Sequence, residues 1–419
     1  MKVMQSKKIC VVGIGYIGLP TAAMFASNGF EVVGYDVNEH TVNELNKGNI
    51  VIEEPYLDDL VKRAVDTGKL RATTVIEEAD CFFIAVPTPI THDHKADMRY
   101  VEMACQSIKS VVKKGDIVVL ESTSPPGTTE DIIVPILKET GLEIGEELYV
   151  AHSPERVIPG RILIELVENS RIVGGVNRAS SEAVKDLFKT FVKGEIFITD
   201  SKTAEMCKLM ENTFRDVNIA LANELAKICE EMGISAWEVR ELSNHHPRVN
   251  IHMPGPGVGG HCIAVDPWFI VEKYPDLAKI MLASRETNDS MPHHVLHRIN
   301  QLMPSKGKIC LLGITYKPDV DDMRESPIVE LQTLLEDAGY EVVVHDPFIP
   351  EYSGDIYEKA KDAQMLVLAV NHKRYETMDF DKLYDVMAKP LILDTRNYWK
   401  KQLESDKRFM YYVLGSGKS

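Results

Sequence analysis

The stretch "KKICVVGIGYIGLP" (Lys7–Pro20) constrains the fold of this chain more than any other. An apolar run, Ile9–Val12, leads straight into Gly13-x-Gly15-x-x-Gly18. The run reads as a buried strand and the glycines as a tight turn. A helical pattern follows from about Ile17 to Ser27 and stops at Asn28-Gly29, and Glu31–Tyr35 reads as the next strand. In such a turn Gly13 permits the sharp bend, Gly15 lets a pyrophosphate approach, and Gly18 lets the helix pack on the sheet. The helix N-terminus then offers unpaired N–H groups and the positive end of its dipole to phosphate. Asp36 closes the second strand, where an acid holds ribose hydroxyls and repels an extra phosphate. Strand, glycines, helix and acid in this order predict a dinucleotide site that takes NAD rather than NADP.

A length of 419 residues suits two to three domains. "ADCFFIAVPTP", "GDIVVLESTSPPGTT" and "ELYVAHSPERVIPG" are further short apolar strands, each ending in a Pro- or Gly-rich turn. Such strands separated by helices predict a parallel sheet covered on both faces. From Ser201 to Met232 the pattern is helical, with Met210, Phe214, Val217, Leu221, Leu225 and Ile228 on one apolar stripe. Helical patterns continue to about Gln301. The last part then echoes the first: "KICLLGIT" parallels "KICVVGIG", and "YEVVVHDPF" parallels "FEVVGYDVN". The prediction is an α/β chain of two Rossmann-like doubly wound domains, 1–200 and 304–419, joined by a central all-helical segment, 201–303. The second half lacks the full glycine fingerprint, so it should bind something other than a second dinucleotide.

The formal net charge of -16 argues against a nucleic-acid partner, which would call for a basic surface. No stretch approaches a membrane span, and the N-terminal apolar run is too short for a signal peptide. Of seven cysteines, Cys10, Cys81 and Cys310 lie in strand-like runs, and Cys105, Cys207 and Cys229 in helix-like ones. These read as buried small hydrophobes of a reducing cytoplasm.

Cys262 stands apart, inside "GPGVGGHCIAVDP", where Gly and Pro exclude regular structure. His245, His246, His252, His261 and Cys262 are close in sequence, but with one thiol and no finger-like spacing no metal site is expected. A Cys–His hydrolase would leave the dinucleotide turn unexplained. A thiol beside a nicotinamide oxidises aldehydes to acids, which uses both features. On that reading the loop glycines give room for ligands to reach the sulfur, and backbone N–H groups near Gly257–Gly260 are available to a diphosphate, as are Lys317 and Arg248. Thr88 and Thr123 follow sheet strands, where they suit either cofactor contact or plain loop capping. Lys208, Asn212 and Arg215 share a helix face opposite the apolar stripe. Spacing leaves open whether that face is merely solvated or lies against a phosphosugar.

Together "GIGYIGLP", "VPTP", "STSPPGTT", "SPER", "EMCKLMENTFR", "GPGVGGHCIAVDP" and "GITYKPDVDDMRESP" resemble, in order and over nearly the whole chain, the nucleotide-sugar dehydrogenases that oxidise a sugar C6 alcohol to a carboxylate with NAD. The resemblance implies Cys262 as nucleophile, Lys208 as acid/base or oxyanion partner, and Asp266 and Asn212 as handlers of water and charge. It implies NAD contacts from Gly13, Gly15, Tyr16, Ile17, Gly18, Asp36, Thr88, Thr123 and Arg324. It implies that Arg156, Val157, Lys208, Asn212, Arg215, His246, Arg248, Gly260, Tyr316 and Lys317 surround a UDP-sugar. "SPERVIPG" replaces the "SPEFLREG"-type stretch of UDP-glucose enzymes, which implies UDP-N-acetyl-D-mannosamine as substrate. UDP-N-acetylglucosamine, UDP-glucose and GDP-mannose are the rival substrates. A non-catalytic NAD- and nucleotide-sugar-binding protein is the rival class. A homodimer or higher homo-oligomer built on the central helices is also implied.

Overall fold

The computed structural model describes residues 7–52 and 54–417. The chain forms two compact units. One runs to Met210 and takes in Trp268–Lys273; the other is Glu211–Pro267 with the chain from Tyr274 onward.

Among the described residues the first unit holds eight strands: β1 (Lys8–Val12), β2 (Glu31–Tyr35), β3 (Leu70–Thr73), β4 (Cys81–Ile84), β5 (Ile117–Leu120), β6 (Tyr149–His152), β7 (Arg171–Gly175) and β8 (Ile196–Asp200). They lie in the order β3-β2-β1-β4-β5-β6-β7-β8. The chain reverses direction across the sheet at β1 and β4, which opens a ligand crevice beyond their carboxyl ends. β1 is apolar and buried from Ile9 to Val12 because both faces are covered there. Ile9 and Val11 enter one core with Phe25, Phe83 and Phe188. Cys10 and Val12 enter the other with Phe82, Ile108 and Val118.

The sheet is not wholly parallel as the sequence predicts. β6 and β7 run antiparallel, with Ala151 opposite Gly175. β7 therefore starts at the end where β6 finishes, and residues 153–170 return without crossing the sheet. "SPERVIPG" stays at the carboxyl end of β6, on the ligand side.

The helix Ser201–Met232 has the bounds its periodicity predicts and spans about 48 Å. Its facing is the reverse of a core helix. Phe214 and Leu221 of the apolar stripe are 61% and 54% exposed, whereas Asn212, Thr213, Asp216 and Asn223 are at most 1% exposed. Cys207 is half-buried rather than sealed in a core; Cys10, Cys81, Cys105, Cys229 and Cys310 are buried.

In the second unit β9 (Lys308–Leu312), β10 (Glu341–His345), β11 (Met365–Leu368), β12 (Leu391–Asp394) and β13 (Met410–Val413) form a sheet in the order β10-β9-β11-β12-β13. All its pairings are parallel. This is the second common doubly wound order. Among the described residues no strand falls between Ser201 and Met303, and no helix is long and apolar enough to cross a membrane.

Candidate active site

The turn between β1 and the helix Gly18–Ser27 is built as a phosphate cradle. Gly13 has φ +89°, and a Cβ there would stand 2.7 Å from the Ala85 carbonyl oxygen. A Cβ on Gly18 would lie 1.9 Å from the Gly13 oxygen, so only glycine lets the helix sit this close. Gly15 differs, with nothing within 4 Å of its Cβ position. That open face is where a pyrophosphate fits. Tyr16 and Ile17 complete the turn, Ile17 caps the helix without a side-chain bond, and the first helical turn carries no acid. The N–H groups and positive dipole end thus meet no competing anion from the helix itself. Asp36 is half-buried just beyond β2; its Oδ2 accepts from Ile14 N at 3.0 Å and its Oδ1 from Asn38 N at 2.9 Å. The residues present fit NAD. Thr88 and Thr123 are half-buried in the loops after β4 and β5.

The second half repeats this frame and seals it. Asp346 follows β10 as Asp36 follows β2, accepting from Ile314 N at 2.8 Å and Phe348 N at 2.9 Å. Here His372 Nε2 lies 3.0 Å from Asp346 Oδ2, and both side chains are fully buried. That carboxylate is closed to a ribose, in keeping with the missing second fingerprint.

Cys262 is half-buried in the turn before the helix Asp266–Lys273, its carbonyl accepting from Asp266 N at 2.8 Å. His261 Nδ1 is 3.1 Å from its Sγ. The loop glycines are not empty room, contrary to the sequence reading. A Cβ on Gly260, whose φ is +86°, would stand 2.7 Å from the Tyr316 ring. Cβ atoms on Gly259 and Gly257 would stand 2.3 Å from the Glu325 oxygen and 2.7 Å from Pro327. Glycine is required because the loop backbone packs directly on the 316–327 segment. That packing gathers Cys262, Gly260, Tyr316, Lys317 and Arg324 around one turn. Lys317 Nζ lies 5.5 Å from the Tyr316 ring centroid. Arg324 is paired with Asp322 at 2.7 Å and belongs to the second unit, whereas the other cofactor residues of the sequence reading belong to the first.

Asn212 and Asp266, distant in sequence, are bonded: Asn212 Nδ2 donates to Asp266 Oδ2 at 2.5 Å, and Arg215 donates to Asn212 Oδ1. A buried polar chain then ties the same helix to the thiol loop. Asn223 accepts from Gly255 N and donates to Asn288, both at 2.9 Å. Asn288 donates to Asp216 Oδ1 at 2.8 Å, and Arg285 donates to the same oxygen at 2.5 Å. These polar groups explain why the helix turns its polar face inward.

Lys208 is half-buried in the first unit, and its charge reaches buried His152. Burial pushes the His152 imidazole down to about 3, with Lys208 acting in the same direction. Arg156 donates to the Ser170 carbonyl, and Val157 packs on the sheet core. His246 and Arg248 are exposed. Sequence reasoning missed a buried cluster beside "SPER": Arg171 pairs with Glu155 at 2.5 Å and approaches Glu121 at 3.8 Å. Burial raises the Glu121 carboxyl, the Glu155 charge adds to this, and Arg171 opposes it. Glu155 stood inside a recognised motif; Glu121 and Arg171 carried no signal of their own. Among the described residues no group of three or more His, Cys, Asp and Glu is placed to hold a metal ion.

Comparison with known proteins decides the class. Residues 7–192 match the NAD binding domain of the UDP-glucose/GDP-mannose dehydrogenase family, 202–290 its central domain and 310–401 its UDP binding domain. The chain belongs to this family. It is an NAD-dependent dehydrogenase of a UDP-sugar. It is 47% identical to a UDP-N-acetyl-D-mannosamine dehydrogenase of Methanocaldococcus jannaschii, over 99% of this chain and 97% of that one. It is 46% identical to an NDP-N-acetyl-D-galactosaminuronic acid dehydrogenase of Ralstonia solanacearum, over 94% and 96%. A solved UDP-D-ManNAc dehydrogenase from Pyrococcus horikoshii superposes with TM-score 0.93 at 39% identity, covering 98% of this chain and 100% of that one.

Proposed function

We propose that this enzyme oxidises the C6 hydroxyl of UDP-N-acetyl-D-mannosamine to the carboxylate, through a covalent thiohemiacetal and thioester on Cys262. The observation that carries the reading is the half-buried Cys262 sulfur, set beside an imidazole in a loop fixed by its own glycines. The names of the relatives support the substrate. In this reading Gly13, Gly15, Tyr16, Ile17, Gly18, Asp36, Thr88, Thr123 and Arg324 hold NAD, which when bound accepts hydride. Cys262 Sγ adds to the C6 aldehyde, and the Lys208 ammonium steadies the oxyanion. Asp266, oriented by Asn212, positions the water that hydrolyses the thioester. Arg156, Val157, Arg215, His246, Arg248, Gly260, Tyr316 and Lys317 surround the UDP-sugar.

Three segments of the chain are proposed to divide the work: 1–200 for NAD, 201–303 for dimerisation and chemistry, 304–419 for UDP. The exposed apolar stripe on Ser201–Met232 supports a homodimer, since exposed apolar patches of this kind mark interfaces. The buried free cysteines support a cytoplasmic setting.

Rates of NADH release test the substrate. UDP-N-acetyl-D-mannosamine is expected to exceed its epimer UDP-N-acetylglucosamine by at least about tenfold in kcat/KM, about 1.4 kcal/mol of discrimination. Equal or reversed rates contradict the assignment. The Ralstonia relative makes UDP-N-acetylgalactosamine the second sugar to assay.

A further inference from the structure

We propose that His261 is a catalytic residue: its Nδ1 shares the Cys262 proton and takes it up as the sulfur adds to the substrate aldehyde. The addition step rests on the covalent reading above. The pairing itself rests on geometry, with Nδ1 and Sγ 3.1 Å apart. Two contacts fix the backbone on either side: Gly260 against the Tyr316 ring, and the Cys262 carbonyl accepting from Asp266 N.

The groups facing the ring from the 316–327 segment are Arg324, Lys317 and Asp322; Arg324 also faces the sulfur. Burial lowers the imidazole's affinity for protons, and the Arg324 and Lys317 charges act the same way, while Asp322 opposes them. The Asp322 charge is itself occupied by Arg324. The proposed proton acceptor is Nδ1, the ring nitrogen that lies against the sulfur.

The step balances within the pair and the substrate. The S–H bond breaks as its proton goes to Nδ1. The S–C bond forms as the carbonyl π pair moves to oxygen. The imidazolium then returns the proton to that oxygen, giving the neutral thiohemiacetal and restoring the ring. A thiolate beside an imidazolium and Arg324 is a nucleophilic sulfur.

The test is alkylation of Cys262 by iodoacetamide in the full chain from pH 5 to 10, read by mass spectrometry of its peptide. Burial pushes the Cys10, Cys81, Cys105 and Cys310 thiols up to about 12, so they contribute little background. His261→Gln is expected to slow alkylation about tenfold at pH 7 and move its inflection up by about one unit. His261→Asn keeps a polar contact but takes up no proton, so it is expected to behave the same way. It carries the test should His261→Gln not fold. Profiles that superimpose on that of the unmodified enzyme overturn the proposal. If Cys262→Ala still made acid, the covalent reading would fail while this shift stood, so the two failures are distinguishable.

Discussion

Gly15 and Gly18 are three positions apart and answer to different demands. An added Cβ at Gly18 collides with the Gly13 carbonyl, whereas one at Gly15 meets open space. Gly18→Ala is therefore expected to cost about 3 kcal/mol of stability, read as a lowered Tm. Gly15→Ala should leave Tm within the scatter of a surface change yet weaken NAD about tenfold or more by calorimetry. His152 gives a pH signature. Folding depresses its imidazole from 6.5 to about 3. The unfolded chain takes a proton below about 6.5 that the folded chain refuses, so stability falls as pH drops from there toward 3. His152→Asn should flatten that slope in melts between pH 7 and 4; an unchanged slope means His152 is not its source. The places of Asp36 after β2 and of Cys262 in a glycine-bound turn were legible because their signals are local. The Asn212–Asp266 bond was not, because it joins positions 54 apart. Only the resemblance had paired their roles.

At the scale of elements, periodicity placed the helix Ser201–Met232 but not its inward face. An apolar stripe marks a surface that avoids water; it does not say whether core or partner covers it. The buried Asn223–Asn288–Asp216–Arg285 chain settles which face turns inward within the fold. Asn223→Ala leaves Gly255 N and the Asn288 oxygen unpaired and should cost about 1–3 kcal/mol in denaturant melts. In the proposed homodimer, Phe214→Asp with Leu221→Asp should lower the sedimentation mass to that of one chain. An unchanged mass would contradict a dimer built on this stripe. The antiparallel β6–β7 pair was likewise illegible, since a short apolar run carries no direction. Its effect is to keep "SPERVIPG" at the ligand end of the sheet.

The whole molecule repeats one architectural idea with two outcomes. Both halves place an aspartate after their second strand and let it hold the glycine turn. His372 closes the second copy, so one NAD is expected to bind per chain in titration. The duplication was readable from "KICVVGIG" and "KICLLGIT", and the difference from the missing glycines. What the glycines of the thiol loop do was misread, because close packing and open space demand the same residue. The most direct test of the account is the yield of NADH and acid from UDP-N-acetyl-D-mannosamine by the unmodified enzyme and by Cys262→Ala. The first is expected to give two NADH per sugar and full conversion to acid, and the second no acid. Two NADH per sugar and full acid from Cys262→Ala would contradict it.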